Sequence, residues 1–162
     1  MNTTHRPYSE AAGDFNRLAG FFIEDAANVR ARSTWCIGRL CDWKWAVYAG
    51  KQQTPFFTDD NAHLWFDGFE RLAGFVISES GDGGFAILTR PGYRFLFEEM
   101  LCWTLSAWAG RGPRFSIEVT EEQGPEIAIL EAHGFRRARA FWTRRFDLTG
   151  EIVPRATLEP GF

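Results

Sequence analysis

The segment from Phe85 to Leu101 has the residue order of a strand, a tight turn and a helix. That arrangement sets a helix N-terminus where an anionic cofactor could meet its dipole and its free N–H groups. Phe85–Thr89 is an apolar strand run, and Pro91 ends its ladder while suiting the entry of a helix. Phe97, Met100, Leu101, Thr104, Leu105 and Trp108 then recur on one helical face. Phosphate binding at such a turn needs glycines, because a missing Cβ lets backbone N–H groups close on the oxygens. No glycine lies between Tyr93 and Leu101. The outline is that of a cofactor site; the residues are not.

Other chemistry-bearing residues point to packing. His5, His63 and His133 are scattered without metal-ligand spacing and read as surface or strand histidines, so no metal is expected. Cys36, Cys41 and Cys102 are odd in number and show no CxxC, unlike a disulfide framework or a zinc site. Cys102 falls among apolar helix residues and reads as a buried, inert thiol. No Ser-His-Asp or Cys-His arrangement can be inferred. Arg136, Arg137, Arg139, Arg144 and Arg145 alternate with Phe135, Phe141 and Trp142, a pattern that could hold a nucleotide or RNA. The neighbouring carboxylates and a net charge of −3 favour aromatics in the core and arginines in water, so nucleic acid is not expected as a partner. Trp35, Trp43, Trp45 and Trp65 could line a groove, but a chain with 16 Phe and 7 Trp must bury most of its rings.

These side chains need a scaffold, and 162 residues suffice for one buried core. Hydrophobic residues at 45% and charged residues at 24% are globular values. The opening MNTTHRPYSEAAGDF has no apolar signal-peptide core, and no apolar run approaches the roughly 18 residues that span a bilayer. A cytoplasmic location without membrane contact is the expectation.

The elements follow from periodicity. Arg6–Tyr8 is a short opening strand, and Asp14 an N-cap for a helix carrying Phe15, Leu18, Phe21 and Phe22. A second helix is predicted from near Ser33 towards Ala49, then a loop from Lys51 to Asn61. His63–Phe66 and Leu72–Ser78 make a hairpin around Asp67-Gly68-Phe69-Glu70-Arg71, and Phe85–Thr89 follows a Gly-rich turn. After the helix that Ala109–Pro113 stops, Phe115, Ile117 and Val119 alternate as a half-buried strand. Gly124-Pro125-Glu126 opens a short helix that Gly134 closes in the left-handed conformation, and a last strand runs from Ala140 to Asp147. The order is strand, two helices, three meandering strands, helix, strand, helix, strand, which implies a mixed α/β sheet with helices on both faces.

That order and four local strings resemble the GNAT superfamily of acyl-CoA-dependent N-acetyltransferases. The strings are Arg6-Pro-Tyr8 with Asp14-Phe15, Leu72-Ala-Gly-Phe75 after a D-G turn, Pro91-Gly-Tyr-Arg94 after a strand, and Leu130-Glu-Ala-His-Gly-Phe135. The likeness spans Arg6 to Leu148. It implies one α+β domain over residues 1–148, with a mostly antiparallel sheet of six to seven strands, and a tail or linker over 149–162. It also implies transfer of an acetyl group from acetyl-CoA to an amine whose identity the residues do not reveal.

The resemblance assigns cofactor-binding positions to Ile87, Leu88 and Thr89 on the fourth strand and to Arg94, Phe97 and Glu99 in the turn. The family's turn is R-x-x-G-x-G or R-x-x-G-x-A, so Phe97 and Glu99 stand where small residues belong. Phe97 would take the space of the CoA phosphates, and Glu98 and Glu99 would set negative charge beside them. Many family members carry an acidic tyrosine four residues before the Gly-Phe pair; Leu130 stands there and has no proton to give. Tyr93 and Glu118 are the remaining acid and base candidates. Trp43–Trp45, the string from Pro91 to Leu101 and the closing E-P-G-F also resemble the first half of a two-domain member, with a degenerate site. That likeness implies a second GNAT domain or a second copy as partner, and a non-catalytic binding or dimerisation module as the alternative function.

Overall fold

The computed structural model describes residues 2–24, 33–45 and 59–141. Among them the chain forms a five-stranded sheet in the order β1-β2-β3-β4-β5. The strands are β1 Thr4–Pro7, β2 Ala62–Phe66, β3 Leu72–Ile77, β4 Gly84–Thr89 and β5 Ser116–Ile117. Every pairing is antiparallel except β4 with β5, which is parallel. The expected six to seven strands are therefore five here. The remaining strand expected from Ala140 lies outside the described residues beyond Phe141, and Ala140 and Phe141 themselves are not in a strand. The tail from 149 and the domain limit at 148 also lie outside them.

Alternation along the strands builds two cores, because successive side chains leave opposite faces. Leu64, Phe75, Ile77 and Leu88 face the helices α1 Asp14–Glu24 and α2 Ile37–Trp45, whose Leu18, Phe21, Leu40 and Trp43 cover them. Trp65, Ala73, Val76 and Ile87 face the other way, against Phe97, Met100 and Leu101 of α3 Phe97–Ala107 and Leu130 of α4 Gly124–Ala132. No helix among the described residues is long and apolar enough to cross a membrane. Of the tryptophans considered for a groove, Trp35, Trp43 and Trp65 are buried and Trp45 is exposed.

Several local expectations are corrected. Asp14 begins α1 but does not cap it forward: its buried carboxylate accepts from Ser9 N–H at 2.9 Å and grips Arg6. The second helix starts at Ile37, because Ser33 Oγ reaches forward to accept Trp35 N–H in a non-helical turn. Pro91 opens a 3-10 turn, Pro91–Leu96, before α3 begins. The predicted strand around Ile117 shrinks to two residues. Cys102 is exposed rather than buried, because Met100, Leu101 and Thr104 take the inward face of α3. Gly134 has φ +83° and ends α4 as expected.

Candidate site at the gap between β4 and β5

The parallel pairing of β4 and β5 is a foot rather than a full ladder. Gly84 faces Ser116 and Phe85 faces Ile117, and the register stops there. Gly83 makes the approach possible: a Cβ at that position would lie 2.1 Å from the Arg114 carbonyl oxygen. Ser116 N–H donates to the Gly83 carbonyl at 2.9 Å and closes the foot. Above it, Ala86 to Thr89 pair with β3 on one side but have no ladder partner on the β5 side among the described residues. The result is a gap edged by β4 backbone, beginning at Ala86.

The three strand positions assigned to cofactor binding edge this gap. Ile87 is buried towards α3 and Leu88 towards α1, while Thr89 is half-buried at the open end. Their side chains hold the two cores, so their backbone is what the gap presents.

The turn that follows is closed by its own contacts. Phe97 N–H donates to the Arg94 carbonyl, continuing the 3-10 turn into α3. Its ring is 1% exposed and packs in the core beneath the sheet with Trp65, Met100 and Leu101. Glu99 accepts Trp65 Nε1–H at 2.8 Å, and Glu98 lies 3.1 Å from His133 Nε2. Arg94 donates to Glu126 through Nε at 2.8 Å and Nη2 at 2.6 Å. This bidentate bond raises the guanidinium pKa above its ordinary value. Each polar group of the turn is thus committed to another part of the chain.

Tyr93 and Glu118 are not brought together. Tyr93 packs with the α3-side core, and its hydroxyl donates to Asp67 at 2.7 Å in the β2–β3 turn. That bond raises the phenol's pKa, and it also holds Asp67 well below the usual carboxylate range, with backbone N–H bonds from Arg71 and Phe69 adding to it. Glu118 is the first residue of the β5 segment beyond the foot and turns to the α2 side. It accepts from Thr34 Oγ1 at 2.5 Å and lies 3.2 Å from Arg39 Nη1, while Arg39 Nη2 binds Glu79 at 2.6 Å. Acid and base candidates therefore stand on opposite faces of the sheet.

Sequence reasoning missed Gly83, Arg39 and Glu126. Gly83 was visible only as one glycine of a turn, and nothing in the sequence couples Arg94 to a glutamate 32 positions away. Leu130 is buried in the core, 5% exposed. Arg136, Arg137 and Arg139 are exposed, with Arg137 3.9 Å from Glu121, while Trp142, Arg144 and Arg145 lie outside the described residues. No group of three or more His, Cys, Asp or Glu able to hold a metal ion occurs among the described residues.

No protein-family model matches the chain, and no curated protein matches it in sequence. Among solved structures it is similar to YycN of Bacillus subtilis, a candidate acetyltransferase, at 14% identity. That match covers 90% of this chain and 99% of the other, with a TM-score of 0.43. A probable acetyltransferase matches at 13% identity over 93% of this chain and 100% of the other, with a TM-score of 0.49. A candidate acetyltransferase from Deinococcus radiodurans R1 matches at 21% identity over 52% of this chain and 60% of the other, with a TM-score of 0.35.

Proposed function

We propose that the chain is a GNAT-type N-acetyltransferase domain that works at the gap between β4 and β5, acetylating an amine. One observation carries this reading: the parallel ladder stops after two residue pairs and, among the described residues, leaves the edge of Ile87–Thr89 without a ladder partner. An open strand edge is a template for an extended ligand rich in amides. Acetyl-CoA supplies an activated thioester, and Ile87, Leu88 and Thr89 would hold its arm through backbone N–H and C=O groups. Glu118 follows the foot directly and brings a carboxylate to the α2 side of the gap. It can accept a proton from an amine through Oε1, because Thr34 and Arg39 both bind Oε2.

The turn does not fit the cofactor's phosphates. Phe97 N–H is spent on the Arg94 carbonyl, Arg94 is held by Glu126, and two glutamates occupy the first turn of α3. These contacts favour a second reading, a GNAT-fold module that binds or dimerises without catalysis. Calorimetric titration with acetyl-CoA separates the two. Micromolar binding, with transfer to an amine panel that Glu118→Gln abolishes, supports the first. Absence of binding at millimolar acetyl-CoA overturns it and leaves the module. Sedimentation of the isolated chain then tests whether a second copy is the partner.

A further inference from the structure

The chain leaves α4 through a stretch of biased composition. From Ala132 to Phe146 it carries five arginines and four aromatic residues, and no Asp or Glu. Its described part starts from a fixed point. Phe135 N–H donates to the Leu130 carbonyl at 3.0 Å, and the Phe135 ring packs against the α3-side core. Residues 136–141 then run exposed, in neither helix nor strand.

A plain solvated face would turn its rings into the core and offset its arginines with nearby acids. Phe135 meets the first condition, but Phe141 is 74% exposed. Among the described residues, Arg136 and Arg139 make no hydrogen bond or ion pair, and no ring or cation faces Phe141. Arg137 comes only within 3.9 Å of Glu121, with both side chains mostly in water at 75% and 87% exposure. A pair of that kind contributes little. The segment therefore presents uncompensated positive charge beside an open ring face.

Those two features together narrow the partner. Guanidinium groups meet phosphates through paired N–H bonds, and an exposed phenyl ring offers a stacking face to any unpaired base. An acidic protein chain would answer the arginines and leave the ring in water. A duplex keeps its bases stacked inside. A lipid surface is held by a broad apolar face, whereas 136–141 expose one ring. The net charge of −3 gives no long-range attraction, so the contact is local and salt-sensitive. We propose that residues 136–141 bind single-stranded nucleic acid, with Arg136, Arg137 and Arg139 on phosphates and Phe141 stacked on a base. No residue of the β4–β5 gap takes part, so the proposal does not depend on acetyl transfer.

Fluorescence anisotropy of a labelled oligouridylate of about twelve nucleotides, titrated with the full chain at low salt, tests this. Saturable binding is expected. Added salt should weaken it with a log–log slope of about −2, the value for three phosphate contacts on a single strand. Arg136→Gln combined with Arg139→Gln should reduce the slope to about −0.7. Phe141→Ala should weaken binding about tenfold and leave the slope unchanged, as loss of one stacked base requires. All three positions are exposed, so both variants should melt at the parent temperature. Absence of saturable binding at low salt overturns the proposal. So does binding that neither variant weakens, which would place the strand elsewhere, the β4–β5 gap included. Displacement of the oligonucleotide by a duplex of equal length, or by phosphatidylserine vesicles, at equal phosphate concentration overturns the single-strand assignment.

Discussion

The Arg94 guanidinium is clasped by the Glu126 carboxylate at 2.8 and 2.6 Å, joining the turn before α3 to the first turn of α4. The two ends of the clasp differ in exposure: the Arg94 side chain is 39% exposed and that of Glu126 only 2%. An arginine released from the pair can return to water, whereas the buried carboxylate cannot.

Arg94→Ala should therefore destabilise the fold more than Glu126→Gln. We expect losses of about 2–4 kcal/mol for the first and about 1–2 kcal/mol for the second. Urea unfolding of both variants checks the order. Equal losses would mean that the buried carboxylate is hydrated or held by other groups after Arg94 is gone.

Phe97 should not be exchangeable for the glycine that the GNAT turn calls for. Its ring is part of the α3-side core, so Phe97→Gly removes a buried aromatic and inserts a poor helix former at the start of α3. A loss of about 3–5 kcal/mol is expected, with no gain in acetyl-CoA affinity. Thermal melting with and without acetyl-CoA measures both effects.

Gly83→Ala should open the foot between β4 and β5. Its Cβ would sit 2.1 Å from the Arg114 carbonyl oxygen, and backbone must move to make room. The expected cost is about 1–3 kcal/mol, typical of overpacking. Amide exchange should locate the damage at Ser116, whose N–H donates to Gly83. Unchanged protection there would show that the foot does not depend on this close approach.

Stability should fall on mild acidification because of His63. Its ring is neutral in the fold down to about pH 4, whereas in the unfolded chain it titrates near 6.5. Between those values the unfolded state binds the extra proton, so stability decreases as pH falls from 6.5 towards 4 and this contribution is flat below. The total is at most about 3 kcal/mol. His63→Gln should flatten that part of the stability profile in denaturant titrations at several pH values.

Native thiol labelling should reach Cys36 and Cys102 before Cys41. The first two are exposed and the third is half-buried. Mass spectrometry after a short pulse of a thiol reagent reads the order directly. Slow labelling of Cys102 would return it to the core where its apolar neighbours had suggested it lay.

Apolar runs and helical period were the legible part of the fold. The runs of β2, β3 and β4, and the helical recurrence of Leu18, Phe21 and Phe22 or of Met100, Leu101 and Thr104, are local patterns that burial enforces. Turn chemistry at Asp67 and Gly134 was local too. The start of α2 was misread because Ser33 caps a non-helical turn as readily as a helix, and only the hydrogen bond to Trp35 N–H chooses. The second β5 residue pair ends the ladder for reasons no run of residues displays.

The strand–turn–helix outline and the absence of glycine after Tyr93 were determined by the sequence alone, since residue identity at a turn decides what backbone can approach an anion. Tertiary structure decided what replaced the missing glycines. Phe97 turned into the core, Glu99 reached Trp65, and Arg94 found Glu126, while Ile87–Thr89 kept an edge with no ladder partner among the described residues. These are contacts between residues about 30 positions apart. They form only when the sheet brings distant elements together, because one-dimensional pattern encodes which face is buried but not which partner waits there.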